Sequence, residues 1–119
     1  MPGVTLDCLF CRIAAGKIPT TIVRETDTTI AFRDIGPKAP VHVLVIPKTH
    51  YADIATLALD DPGLAGEVLA TAAVVAETEG LLVDGFRLIF NTGEYGGQEV
   101  FHAHAHVLGG ARLGPMVAG

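Results

Sequence analysis

The chain has 119 residues, half of them hydrophobic, and a formal net charge of -5 with only 8 lysines and arginines. This length allows one domain, expected over residues 1–119, with a buried core and no disulfides. The charge argues against a binder of nucleic acid or of an acidic membrane surface. No signal-peptide pattern or apolar run of about 18 residues occurs, so we expect a cytoplasmic protein without a membrane partner.

The first half of the chain predicts a short helix and three strands. The helix covers residues 7–15, begins at an Asp7 cap and ends at Gly16. Two prolines and a glycine make residues 34–40 a loop. The strands are predicted over residues 22–25, 29–33 and 41–46.

The second half predicts one long helix and two strands. The helix begins at an Asp61 cap with Pro62 in its first turn, and runs to about Glu79. Apolar residues line two of its faces, so we expect it to pack on a sheet and on a partner subunit in a homodimer, with the well-covered core of a monomer as the other interpretation. The strands cover residues 86–90 and 100–108. Because strands and helices do not alternate, the predicted class is α+β, with an antiparallel sheet of about five strands and one long and one short helix.

Three of the five histidines alternate with apolar residues near the end of the chain: His102, His104 and His106. On a strand, alternate residues share a face, which places the three imidazoles on one side, about 7 Å apart in succession. Each buried ring nitrogen needs a partner, so a core strand has no reason to stack three such rings. The row therefore predicts a site rather than core packing.

Three kinds of chemistry could use this row. Alternate histidines can ligate zinc, one histidine can attack phosphorus, or the row can bind an anion without turnover. Gly96 and Gly97 lie just upstream and favour a phosphate, because consecutive glycines let backbone N–H groups approach an anion closely. Glu99 could act as the carboxylate base of a zinc hydrolase, so a zinc enzyme stays an alternative.

Residues 96–110, which read GGQEVFHAHAHVLGG, closely resemble the signature of the histidine-triad (HIT) nucleotide hydrolases and transferases. Residues 32–48 resemble the Hint branch of that family, and the resemblance covers about residues 7–110. It implies a HIT-like fold and a hydrolase of purine nucleoside 5′-phosphoramidates, with a nucleotidyl intermediate on His104. The alternatives are a dinucleoside polyphosphate hydrolase and a non-catalytic, nucleotide-binding regulatory protein.

The resemblance also implies roles for individual residues. His104 would be the nucleophile, His106 would stabilise a phosphate oxygen, and His102 would support the site. His42 would lie behind the nucleophile, with a core histidine as the other interpretation. Asp34 would accept hydrogen bonds from the ribose hydroxyls; in the other interpretation it is a turn residue that caps the backbone of its own loop. The implied contacts with the purine nucleotide are Leu9, Phe10, Ile13, Phe32, Asp34, Ile35, Asn91, Gly97, Gln98 and Glu99, together with His104 and His106.

Glu99 stands where the family usually has serine or threonine. A carboxylate close to a phosphate is unfavourable unless it is protonated or turned toward a cationic amine. We therefore predict that Glu99 shifts the preference toward basic leaving groups or lowers turnover.

Cys8 and Cys11 form an isolated C-x-x-C pair, which needs two further ligands to close a zinc site. A resemblance to some bacterial members of the family implies His50 and His102 as those ligands. The zinc would be structural, since the implied chemistry needs no cofactor. In the other interpretation both cysteines pack as small hydrophobic residues and His50 lies on the surface.

Overall fold

The structure is a computed structural model that describes residues 8–117, and over these residues it forms one five-stranded sheet with three helices. The elements are α1 (Leu9–Ala14), β1 (Ile22–Glu25), β2 (Thr29–Arg33), β3 (Val41–Pro47), α2 (Ile54–Asp60), α3 (Pro62–Thr78), β4 (Phe86–Phe90) and β5 (Ala105–Gly109). The strand order is β1-β2-β3-β5-β4, and every pair is antiparallel. The predicted α+β class is confirmed. Within residues 8–117, no helix is long and apolar enough to cross a membrane.

Helix α3 covers one face of the sheet and forms the larger core with it. The helix begins as predicted, because Oδ1 of Asp61 accepts the N–H of Leu64 at 3.0 Å and Pro62 lies in the first turn. Its buried residues are Leu64, Ala65, Val68, Thr71, Ala72, Val75 and Ala76. Leu69 lies on another side of the helix and is 49% exposed.

Helix α1 packs over the opposite face of the sheet. The smaller core there consists of Phe10, Ile13, Ile30, Phe32, Leu44 and Ile46. His42 shares this face because it alternates with Leu44 along β3. His106 shares it because it is paired with Leu44 across the sheet. Two of the predicted site histidines therefore lie on the face that carries α1.

Helix α2 is absent from the sequence prediction, which expected two helices. Oδ1 of Asp53 accepts the N–H of Thr56 at 2.8 Å and caps the helix. Leu57 is the one buried residue of its seven. A helix this short repeats its apolar position too few times to give a helical period in the sequence.

The predicted bounds of the last strand and of the first helix also differ from the structure. The last strand begins at Ala105 rather than at residue 100, so His106 alone of the row lies within β5. The N–H of Ala103 donates to the carbonyl of Tyr51 at 2.7 Å, outside the sheet, and Pro47 at the end of β3 has no N–H to donate. Helix α1 is capped by Cys8, whose thiol accepts the N–H of Cys11 at 3.3 Å. The predicted Asp7 cap lies outside the described residues.

The loop after β4 is closed by contacts that leave no room for a side chain at Gly96. An added Cβ there would lie 2.4 Å from the carbonyl oxygen of Thr92. Asn91 donates to the carbonyl of Gly96 at 2.7 Å, and Gly97 adopts a φ of +75°. The loop therefore needs glycine at both positions.

Replacing Gly96 with alanine should lower the free energy of unfolding by about 1–3 kcal/mol, because the backbone of the loop must move to accept the Cβ. Urea unfolding measures the change. Gly66→Ala, in the middle of α3 with open space around it, is the matched control and should be neutral or stabilising. A Gly96→Ala protein as stable as the wild type would contradict the packing of this loop.

Candidate active site

The three histidines of the row do not form a single site, because they are divided between two neighbouring sites. The rings of His104 and His106 lie 4.9 Å apart, centre to centre, and both border a cavity. The ring of His102 lies instead 5.0 Å from that of His50, beside two cysteines. Among the described residues, no potential metal-binding group contains two members of the row.

The cavity has a volume of about 170 Å³ and is bordered by β3, β5, α1 and the loop after β4. Its lining is Phe10, Asp34, Leu44, Asn91, Gly97, Glu99, Val100, His104 and His106. Leu44 and Val100 were not predicted. The signal for Leu44 was available, because it lies two residues after His42 on the same strand face.

Several predicted nucleotide contacts lie outside this cavity. Ile13 and Phe32 are buried in the smaller core, where the ring of Phe32 packs edge-on against Phe10. Leu9 is 40% exposed and Ile35 is fully exposed. These four residues support or surround the cavity without lining it.

Gln98 is another predicted contact that does not line the cavity. Its side-chain oxygen accepts the N–H of Gly93 at 2.9 Å. Its amide nitrogen donates to the carbonyls of Ala52 and Val100, at 2.7 and 3.0 Å. Because the whole amide is used in these bonds, Gln98 holds the loop in shape from behind.

His104 is held in a single tautomer by its backbone neighbour. Its Nδ1 lies 2.7 Å from the carbonyl oxygen of His102, which can only accept a hydrogen bond. Nδ1 therefore carries the proton, and Nε2 keeps its lone pair. Burial lowers the pKa of His104, so the ring is neutral at pH 7. A neutral imidazole with a free Nε2 is a nucleophile.

His106 is held in the opposite tautomer through a relay that starts at a backbone amide. The N–H of Lys38 donates to Nδ1 of His42 at 3.1 Å, so the proton of His42 must be on Nε2. Nε2 of His42 then donates to Nδ1 of His106 at 2.9 Å. This leaves the Nε2–H of His106 as a donor. His42 thus lies behind His106, not behind the expected nucleophile His104.

Burial keeps the histidines of this relay uncharged. It lowers the pKa of His106 to about 4 and also lowers the pKa of His42. Oδ2 of Asp34 lies 3.7 Å from Nε2 of His42 and opposes the shift at both rings. Oδ1 of Asp34 accepts the N–H of Gly36 at 2.7 Å, which is the capping role also expected for it.

The four residues predicted as metal ligands come together beside the cavity. Nδ1 of His102 lies 3.3 Å from the sulfur of Cys8, 3.5 Å from that of Cys11 and 3.2 Å from Nδ1 of His50. The sulfur of Cys11 lies 3.4 Å from Nδ1 of His50, and all four donor atoms lie within 4.8 Å of one another. A tetrahedral zinc with two nitrogen and two sulfur ligands has edges of about 3.3 to 3.8 Å. The donor set and its dimensions fit this metal.

His102 presents the correct nitrogen to the cluster. Its Nε2 lies 2.8 Å from the carbonyl of Pro47 and donates to it, so Nδ1 has the free lone pair. Burial lowers the pKa of His102 to about 4 and raises the pKa of the Cys8 thiol. Both shifts favour uncharged groups in the absence of a cation. His102 also connects the two sites, because its carbonyl orients His104.

An open antiparallel sheet with α1 over one face, and with two complementary imidazoles beside a glycine loop, defines the class of histidine-triad α+β proteins. The profile of the HIT domain matches residues 15–113, and the chain belongs to this family. The predicted family is thereby confirmed.

Relatives of known name support the same assignment. The chain is 44% identical over 112 residues to an Escherichia coli protein named purine nucleoside phosphoramidase, covering 94% of each chain. A solved HIT family hydrolase from Clostridium thermocellum superposes with a TM-score of 0.91 at 41% identity, covering 97% of this chain and 100% of that one. A solved HIT family hydrolase from Legionella pneumophila is 50% identical and superposes with a TM-score of 0.85, covering 89% of this chain and 95% of that one.

Proposed function

We propose that this protein hydrolyses purine nucleoside 5′-phosphoramidates through a nucleotidyl intermediate on His104. The observation that carries the proposal is the pair of opposite tautomers. His104 offers a lone pair on Nε2, while the neighbouring His106 offers an Nε2–H donor. The predicted enzyme class, a nucleotide hydrolase, agrees with the names of the relatives from Escherichia coli and Clostridium thermocellum.

The reaction proceeds in two displacements at phosphorus. Nε2 of His104 attacks the α-phosphorus, the bond from phosphorus to the amine nitrogen breaks, and the amine takes up a proton from solvent water as it leaves. Water then attacks the same phosphorus, which releases the nucleoside monophosphate and restores His104. The Nε2–H of His106 donates to the phosphoryl oxygen whose charge grows in each transition state.

The cavity accommodates the reacting end of the nucleotide. Its volume of about 170 Å³ is below the roughly 300–1,000 Å³ of sites that enclose a whole ligand. We therefore place the phosphate beside Gly97 and the ribose at Asp34, whose Oδ2 is the acceptor for the hydroxyls. The base would lie at the outer rim, where Leu9 and Ile35 expose apolar surface.

The proposal includes a structural zinc held by Cys8, Cys11, His50 and His102. The near-tetrahedral spacing of their donor atoms supports it. When bound, the ion would connect the start of α1 to the segment before β5 and would stabilise both. The displacements at phosphorus use His104 and His106 and require no metal.

The proposal also keeps the predicted assembly, a cytoplasmic homodimer of one-domain subunits. Leu69 on α3 is 49% exposed and suits an apolar contact with a second copy. Sedimentation equilibrium of the purified protein tests the oligomeric state directly.

The relay behind His106 predicts different effects for two substitutions of His42. His42→Leu removes the donor to His106 and should lower kcat about 10- to 100-fold, with a smaller change in KM. His42→Gln should retain more activity, since an amide can accept from Lys38 and donate to His106 at once. Steady-state kinetics on an adenosine phosphoramidate compares the two variants. Equal losses in both would show that packing, rather than the relay, matters at this position.

A further inference from the structure

We propose that the cavity selects substrates with a single negative charge at phosphorus and a cationic leaving amine, and that Glu99 recognises the cation. The inference rests on the proposed function and specifies its substrate class. Under it, the enzyme hydrolyses substrates whose leaving group is an amine in preference to those whose leaving group is a phosphate.

The charges around the cavity favour this class of substrate. Its described lining contains two carboxylates, Asp34 and Glu99, and neither lysine nor arginine. The two lining histidines, His104 and His106, are held by hydrogen bonds at Nδ1, to the carbonyl of His102 and to Nε2 of His42 respectively. An incoming phosphoryl group therefore meets the Nε2–H donor of His106 and two carboxylates. Donors of this kind can hold one anionic charge, but they cannot offset the several charges of a polyphosphate.

The two carboxylates are not equivalent. Oδ1 of Asp34 accepts the N–H of Gly36, and Oδ2 lies 3.7 Å from Nε2 of His42 and is assigned to the ribose. Glu99 is exposed, and within residues 8–117 it forms no ion pair or side-chain hydrogen bond. A carboxylate at the edge of a phosphate site without a cation of its own is unfavourable unless the substrate supplies the positive charge.

The leaving amine is the part of the substrate that can supply this charge. In an in-line displacement it departs from the side of phosphorus opposite to His104. Its nitrogen carries positive charge when it takes up the proton that allows the bond to phosphorus to break, and a second ammonium group on the same amine is cationic from the start. Glu99 thus stabilises the departing group more than the bound substrate, which is the condition for a higher kcat/KM.

The test compares three substrates that share one nucleoside. These are adenosine 5′-phosphoramidates of butylamine and of singly coupled 1,4-diaminobutane, and diadenosine tetraphosphate. For the wild type we expect a kcat/KM about 10-fold higher for the cationic amine than for the neutral one, and an advantage that shrinks with added salt. The tetraphosphate should be hydrolysed at least about 100-fold more slowly than either phosphoramidate.

Glu99→Gln keeps the shape of the side chain and removes its charge, so it should bring the ratio of the two phosphoramidates close to one. Glu94→Gln is the matched control: it makes the same change in the same loop, at an exposed residue that does not line the cavity, and should leave the ratio as in the wild type. Glu99→Ser provides a second measurement of the ratio, and thermal unfolding checks that each variant is folded.

The outcomes separate this inference from the function on which it rests. An unchanged ratio in both Glu99 variants, or a wild type indifferent to the charge of the amine, overturns the role of Glu99 while the phosphoramidase stands. Rapid hydrolysis of the tetraphosphate overturns the charge selection. A wild type that hydrolyses none of the phosphoramidates overturns the proposed function itself.

Discussion

His104→Ala is expected to lower phosphoramidate hydrolysis by about 10⁴-fold or more, because no other described group in the cavity offers an unprotonated ring nitrogen to phosphorus. Release of the monophosphate from an adenosine phosphoramidate, followed by chromatography, measures the loss. Binding of AMP by the variant should stay within about 10-fold of the wild type, since Asp34, Asn91 and the glycine loop are unchanged. Activity that survives in His104→Ala would rule out the covalent route.

A labelling experiment tests the intermediate directly. When the wild type is quenched with alkali during turnover of a phosphorus-labelled substrate, the label should be found on the peptide that contains His104. His106→Leu is the informative comparison, because it keeps the nucleophile and removes the N–H donor. It should still form the labelled peptide, but more slowly. Label found on another residue would reassign the nucleophile.

The sequence was sufficient for β3 and for the part of the last strand that carries His106, for a physical reason. Strand β3 has an apolar core on both faces, and His42 interrupts that pattern at a position whose partner across the sheet is Leu108. Alternation placed His104 and His106 near one another, and the structure has their rings 4.9 Å apart. The alternation within β3 depends on the two-residue period of a strand, which a sequence displays directly.

The details that sequence did not provide depend on contacts between distant segments. His102 leaves the row because its ring bonds to Pro47 and lies against His50, 55 and 52 residues away in the chain. Gln98 turns from the cavity because Ala52, in a segment with no predicted element, accepts its amide. His42 donates to His106 from Nε2 because its other ring nitrogen, Nδ1, accepts the backbone N–H of Lys38. Tautomers of this kind follow from three-dimensional hydrogen bonding and have no signature in the order of residues.

Cys11→Ala is expected to remove a structural zinc and much of the stability of the fold. The purified wild type should contain about one zinc per chain by elemental mass spectrometry, and the variant close to none. Since a metal bound only by the folded state contributes its binding energy to folding, the melting temperature of the variant should fall by at least about 10 °C. A chelator should lower the melting temperature of the wild type by a similar amount. A wild type that contains no zinc, and whose melting temperature the chelator does not change, would contradict the proposed zinc site.

Two further measurements separate support of the fold from participation in the reaction. His106→Leu should keep its zinc and stay folded while losing activity, because His106 lies outside the cluster. Zinc-depleted wild type, kept folded at low temperature, should retain hydrolysis within about 10-fold of the loaded protein, whereas a metal that activated the water would be indispensable. The remaining loss has a structural origin in His102. Its ring would be a ligand of the zinc and its carbonyl fixes the proton of His104, so release of the metal would loosen the support of the nucleophile without removing it.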